Sequence, residues 1–598
     1  MGKRSIGRVR KGVAARERGY PRPQLVREEW VSLNGTWAFA IDAEARWAGP
    51  KEVRWDRAIE VPFSPETEMS GVGETGFYKA VWYRRQIEKP AVGEGECVIL
   101  HFGAVDHSAR VWVNGKLVVT HEGGYTPFWA DVTEQMEGAG PQEVVVRAFD
   151  DPHDLAKPRG KQDWRLEPHA IWYPRTTGIW QTVWMEVVPA TRIEKVRWTA
   201  DVTKWQIGLE VKIAGAPREG LRLRVRLSTK GNVLAEDTYS VSGDEVSRAI
   251  ALTDPGIDDL RNELMWFPSA PNLIDAQMEL LDADGRVIDL VTSYTAMRQV
   301  SVQGDRLVLN GRPIMLRFLL DQGYWRESGL TAPSDEAYVR DIELVKSMGF
   351  NGVRKHQKIE DPRFLYWADQ MGLLVWEEMP SAYRFSAESI GRLTREWTAA
   401  IERDSSHPCI IAWVPFNESW GVPDLPEVRA QRDLVAGIYH LTKALDPTRP
   451  VIGNDGWEMH QTDIVAIHDY ERTPPRLLER YRRTPENLEA LFAYERPGNK
   501  RLLIDGHSYN GCPIMLTEFG GIAYHKDVKH TWGYKRAASP GEFGRQYAEL
   551  LAAVRALPMF SGFCYTQFTD TYQEANGLVY MDRSPKVPIE QIQKATAG

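Results

Sequence analysis

The sequence predicts a multidomain protein: an N-terminal β jelly roll, an immunoglobulin-like β-sandwich and a C-terminal (β/α)8 TIM barrel. Three observations carry this. Short runs of alternating apolar and polar residues, broken by Gly, Asn, Asp and Pro, fill the first half of the chain, which is the texture of antiparallel sheets. From about residue 296 the texture changes, and apolar strands alternate with helical stretches about eight times, the signature and size of a barrel. A length of 598 residues suits three or four domains at about 100–200 residues each, or fewer if one is a barrel.

Residues 1–24 are basic and lack the apolar core of a signal peptide, so they read as a partly ordered, solvated arm. Residues 25–190 carry strands such as AVWYRRQIE, ECVILHFGA and QEVVVRAFD. The dipeptide Asn114-Gly115 between two alternating runs is a hairpin signal. Residues 191–295 repeat the pattern on a smaller scale with IGLEVKIAG and LRLRVRLST, as in a sandwich held by its core alone. Residues 296–598 hold the barrel. A doubly wound sheet would give a related pattern, but no Gly-rich phosphate loop follows the first strand.

Composition narrows the partners. A net charge of −8 with no long run of one sign argues against nucleic acid or an anionic membrane. No run of roughly 18 apolar residues is present, so no transmembrane helix is expected, and a cytoplasmic location fits, with non-Sec export left open. Cys97, Cys409, Cys512 and Cys564 show no paired spacing and read as reduced core thiols. The 22 tryptophans are the unusual count. Indole faces stack on the apolar faces of sugar rings, although most tryptophans in any protein are core packing.

Polar residues that end barrel strands lie at the catalytic face. The second strand is expected to end in Arg354, Lys355 and His356, the third in Glu377 and Glu378, and the fourth in Asn417 and Glu418. The fifth should end in Asn454 and Asp455, the sixth in His468 and Asp469, and the seventh in Glu518, with Tyr565, Gln567 and Asp570 along the eighth. Carboxylates on the fourth and seventh strands face each other across a barrel mouth. Glycoside hydrolysis needs such a pair, one to protonate the leaving oxygen and one to attack the anomeric carbon.

HPCIIAWVPFNESW resembles the acid/base strand of glycoside hydrolase family 2, and PIMLTEFGG resembles the nucleophile strand of that family. LNGTWAF, VWVNGKLV and YPRTTGIWQTVWMEVV look like its sugar-binding jelly roll, and NGRPIMLRFLLDQG, DIELVKSMGFNGVRKHQ and LYWADQMGLLVWEEMP look like its barrel opening. The resemblance covers about 25–590 in matching order. It implies a retaining exo-glycosidase with Glu418 as acid/base, Glu518 as nucleophile, Asn417 on the sugar 2-hydroxyl, Arg354 supporting the nucleophile and His356 in the sugar subsite. Asp321, Glu377, Asp455, His468 and Tyr565 are further substrate-binding candidates. Trp420, Trp457 and Trp532 are candidate stacking platforms, as are Trp325 and Trp376.

Members of this family cut several sugars, and the glutamate pair does not choose among them. β-Glucuronidases carry an Asn-x-Lys motif after the nucleophile, which TDTYQEANGLVYMDRSPK lacks, so little glucuronidase activity is expected. WVPFNESWGVPD offers no extra metal carboxylate or His, and neither a metal nor a cofactor is expected. A β-galactosidase-type activity on an oligosaccharide or glycoside is the first expectation. The alternatives are a β-galactofuranosidase or α-L-arabinofuranosidase, a β-glucuronidase, a transglycosylase and a non-catalytic carbohydrate-binding protein. A homo-oligomer is expected by analogy alone.

Overall fold

The computed structural model describes residues 18–138, 140–215, 219–504 and 506–598. Most of the N-terminal arm therefore lies outside the described residues. Its last part is not a solvated tail. Tyr20 is fully buried, and the Arg18 guanidinium donates to the carbonyls of Ala332 and Pro333 on the barrel.

The first part is a pair of antiparallel sheets. One has the order Trp30–Ser32, Val183–Pro189, Glu96–Phe102, Phe128–Asp131. The other runs Arg57–Val61, Gly35–Asp42, Ala80–Ile87, Gln142–Phe149, Ser108–Val113, Lys116–Glu122. The Asn114-Gly115 turn joins the last two strands with both residues at positive φ, 49° and 76°, the conformation a two-residue type I′ hairpin demands. Val98, Leu100, Val111, Val144 and Val146 interleave between the sheets.

The second part has a three-stranded sheet, Arg192–Asp201, Gln206–Ala214, Glu245–Ala251, facing a four-stranded one, Asn232–Ser240, Arg222–Thr229, Ile274–Leu281, Val287–Thr295. Strict alternation decides its inner face: Ile207, Leu209, Val211 and Ile213 are buried at every second position.

The barrel sheet is parallel, in the order Ile410–Val414, Leu374–Glu378, Gly352–Lys355, Leu316–Asp321, Phe560–Thr566, Ile514–Gly520, Val465–His468. Its strands are buried along almost their whole length, Arg317 alone being half-buried, because helices cover the outside and side chains fill the inside. The expected fifth strand is reduced to two isolated bridges. Val451 pairs with Trp413 and Asp455 with Asn417, while His468 N reaches Gly456 O at 3.3 Å to close the ring. VIGNDG cannot run straight, since Gly456 takes φ 109° and a Cβ on Gly453 would strike the Gln461 carbonyl.

The parts share one core. Tyr173 and Trp180 of the first domain and Trp266 of the second pack into the barrel's own hydrophobic cluster. All four cysteines are free. Among the described residues no helix is long and apolar enough to cross a membrane.

Candidate active site

Glu518 lies within its strand at the barrel mouth. Its Oε1 is 3.0 Å from Arg354 Nη1, and its Oε2 accepts from the Tyr470 hydroxyl at 2.6 Å. Glu418 reaches the same space by an unusual route. It and Ser419 take left-handed backbone, φ 51° and 59°, a conformation that costs a non-glycine residue about 1–3 kcal/mol and persists only where neighbours enforce it. Here Glu418 N donates to Asp455 O at 2.9 Å, Ser419 N to Asn454 Oδ1 at 3.0 Å, and Ser419 Oγ to Glu458 Oε2 at 2.6 Å. As a result, one carboxylate oxygen from Glu418, one from Glu518 and a ring nitrogen of His468 lie within 4.8 Å of one another.

Arg354 is the hub. Fully buried, it donates from Nε to Glu378 Oε2 at 2.6 Å and from Nη2 to Asn417 Oδ1 at 2.7 Å. Asn417 thus spends its carbonyl on Arg354, which leaves its NH2 for another acceptor. His468 bonds Glu418 Oε1 through Nδ1 at 2.8 Å and Asp455 Oδ1 through Nε2 at 2.9 Å. His356 is buried with Nδ1 3.0 Å from Glu378 Oε1.

These contacts set the protonation states. Burial pushes the Glu518 carboxyl up, but the charges on His468 and Arg354 outweigh it and hold the group at about 2. Burial disfavours charge on His468, yet Glu518, Asp455 and Glu418 lift its pKa to about 10. Burial raises Glu378 to about 7 against the pull of Arg354. His356, buried beside Arg354, is driven well below its ordinary value and is neutral. The site therefore offers an ionised carboxylate facing a second carboxyl group, with an oxygen of each within 4.8 Å of the other.

Several expected site residues lie elsewhere. Glu377 and Asp321 pair in register with Lys355, so all three point out of the barrel, where Lys355 Nζ holds Asp321 Oδ2 at 2.7 Å and lies over the Phe364 ring. Glu377 is fully buried beside Asp404 and Arg403, and Glu378 takes the place expected for it. Asp455 stands behind His468 and does not line the opening. Tyr565 is buried against Phe519 and Tyr547, Trp376 against Phe318, and Trp325 against Tyr338. Trp420 and Trp457 do border the site: Trp420 meets Trp172 at 5.8 Å and Tyr383 at 5.3 Å, and Trp457 lies edge-on to His468 at 5.5 Å. Trp532 is one ring further out, touching Tyr534, which stacks on Tyr470 at 3.5 Å.

Sequence reading missed the first domain's part in the site. A loop containing Lys161, Trp164, Trp172 and Tyr173 caps the barrel mouth. Trp172 Nε1 donates to Tyr383 Oη at 2.9 Å. Lys161 is buried, with Nζ 5.9 Å from the Trp172 ring and 6.0 Å from that of Tyr173. It makes no ion pair with the described residues, and the carboxylates acting on it are Glu574, Glu418, Glu518 and Glu378. The distinctive segment TQFTDTYQEANG fastens this loop. Gln573 Nε2 donates to the carbonyls of Ala170 and Trp172 at 3.0 and 2.7 Å, and Glu574 accepts from Tyr173 Oη at 2.5 Å. The aromatic run KQDWRLEPHAIWYP was the available signal for it.

Folding also assembles ligand sets that linear spacing hid, Glu418–His468–Glu518 and Asp369–His407–Cys409. In the first, both His468 nitrogens already bond carboxylates. In the second, Asp369 accepts from Tyr294 Oη and Cys409 N at 2.8 Å each and lies 2.6 Å from His407 Nδ1.

Among known proteins, the chain is 26% identical over 452 residues to a β-galactosidase of Thermoanaerobacter pseudethanolicus, covering 72% of this chain and 54% of that protein. It is 24% identical over 401 residues to a putative β-glucuronidase of Formosa agariphila, covering 64% and 46%. The chain thus spans about half the length of these curated relatives. Its fold matches that of Bifidobacterium dentium β-glucuronidase complexed with coumarin-3-O-glucuronide, with TM-score 0.75, 21% identity and coverage of 95% and 97%. It also matches an Eisenbergiella tayi β-galacturonidase bound to galacturonate, with TM-score 0.72, 22% identity and coverage of 95% and 97%. The glycosyl hydrolases family 2 sugar-binding domain matches residues 64–155, the general family 2 domain 191–298, and the family 2 TIM barrel domain 300–598. With its three parts matched in order, the chain belongs to glycoside hydrolase family 2.

Proposed function

We propose that the chain is a retaining exo-glycosidase that removes a terminal sugar by double displacement. Glu518 attacks the anomeric carbon, while Glu418 protonates the leaving oxygen and then activates water. The observation that carries this reading is the pair itself: an ionised Glu518 whose carboxylate oxygen lies within 4.8 Å of one on Glu418. Asn417, with its carbonyl fixed by Arg354, presents its NH2 to the sugar 2-hydroxyl. Proton NMR of the first-released sugar tests the mechanism, since retention is expected and inversion would refute it.

The preferred sugar is a neutral, galacto-configured one, in line with the missing Asn-x-Lys motif. A hexuronide is the second reading, and one observation favours it. Lys161 places in the pocket a lysine that makes no direct ion pair among the described residues, where a sugar carboxylate would satisfy it, and solved structures of similar fold include a glucuronidase and a galacturonidase. Aryl galactopyranoside, galactofuranoside, arabinofuranoside, glucuronide and galacturonide compared by kcat/KM decide between the two. An added acceptor sugar reveals any transglycosylation.

A further inference from the structure

On the opposite end of the barrel, a recess opens between the second domain and the barrel floor. Its cavity volume is about 30 Å³, and Trp198, Thr199, Thr295, Ser405, Ser406 and Arg449 line it together with Arg298. Ser405 and Ser406 precede the Ile410–Val414 strand and Arg449 precedes the 451–455 segment, so the recess lies at the N-terminal ends of the strands, away from Glu418.

Arg298 is only 7% exposed. Among the described residues its one hydrogen bond runs from Nη2 to the His407 carbonyl at 3.3 Å, its buried Nε has no acceptor, and no carboxylate pairs with it. Nearby acids are already engaged. Asp446 takes Arg449 Nη1 at 2.6 Å and Trp413 Nε1 at 2.8 Å, and Asp369 takes His407 and Tyr294. Burial and the Arg449 charge lower Arg298 to about 9, which leaves it cationic at neutral pH. A buried cation with neither a counter-ion nor a full set of acceptors is costly and seldom left so. The Ser405 hydroxyl is also buried without a partner, and it borders the same space.

We propose that this recess binds a small oxyanion of the phosphate type, held by Arg298 and Ser405 at the junction of the second domain and the barrel. A guanidinium suits such a ligand because its planar N–H groups match the spacing of phosphate oxygens. The bound ion would tie the sandwich to the barrel floor without touching the catalytic pair.

Thermal unfolding of the full chain in inorganic phosphate, against chloride at equal ionic strength, is the test. At phosphate well above its Kd, Tm should rise by about 3 °C, and Arg298→Met should abolish the rise. An equal Tm in phosphate and chloride, or an undiminished rise in Arg298→Met, would overturn the proposal. Should that variant fail to fold, Ser405→Asp supplies a carboxylate in place of the ion. It should lose the phosphate response while keeping wild-type activity on an aryl glycoside, and a full phosphate response in Ser405→Asp would equally overturn the proposal.

Discussion

Replacing each proposed catalytic glutamate, Glu418 and Glu518, by Ala and offering azide separates their roles. Glu418→Ala removes only proton transfer, a contribution of roughly 10²–10⁴ in rate, or about 3–5 kcal/mol of barrel-mouth chemistry. A leaving group as weakly basic as dinitrophenolate hardly needs the proton, so its glycosylation should keep most of its rate while an alkyl glycoside loses the full factor. The left-handed turn at Glu418 is held by backbone and by Asn454, Ser419 and Glu458, so truncating the side chain leaves the cavity open on the acid/base side. Azide entering there attacks the glycosyl-enzyme on Glu518 and gives a glycosyl azide of retained configuration. In Glu518→Ala the space opens on the other face, and azide gives the inverted product. Product anomers are read by NMR. Exchanged outcomes would reverse the two assignments, and a retained product from neither variant would refute double displacement.

Three other outcomes follow from the site. If a uronide is the substrate, Lys161→Met should lower kcat/KM on the aryl uronide by roughly 30-fold or more, since losing one partner of a buried charge pair costs about 2–5 kcal/mol, and neutral glycosides should lose far less; an equal loss on both removes Lys161 from carboxylate recognition. Glu378 has a folded pKa of about 7, above its unfolded value near 4.3, so its contribution to stability is complete below the unfolded value and lost as pH rises through 7. Tm profiles of wild type and Glu378→Gln between pH 5 and about 8 should therefore differ in slope, and parallel profiles would contradict that pKa. EDTA should leave activity nearly unchanged, because His468 already spends both nitrogens on carboxylates; complete loss restored by magnesium would show otherwise.

What could be read from the sequence follows from how local the cause is. Glu418 and Glu518 sit in contiguous motifs, and strand order puts those motifs at one mouth, while the left-handed turn that aims Glu418 inward depends on partners from the 454–458 segment. Choosing between Glu377 and Glu378 required the register, because adjacent residues on a strand face opposite ways and the pairing slips between Val375 and Trp376. Asp455 is expected at the end of a fifth strand, yet isolated bridges replace that strand and its carboxylate stands behind His468. Lys161 and Trp172 belong to another domain, and no pattern within the barrel could announce them. Tyr565 reads as a sugar contact from sequence only because its outward direction depends on the same unseen register.

The cap that Trp172 and the Gln573 clasp place over the mouth has a consequence for the kinetics of polymer breakdown. Under the proposed exo action only the terminal residue of a long glycan enters, and the working concentration is that of chain ends rather than of mass. Shearing a polymer without releasing any monomer should then speed sugar release in proportion to the ends created. Branched chains should be consumed from every tip at once, at a pace that stays constant until the first branch point is reached.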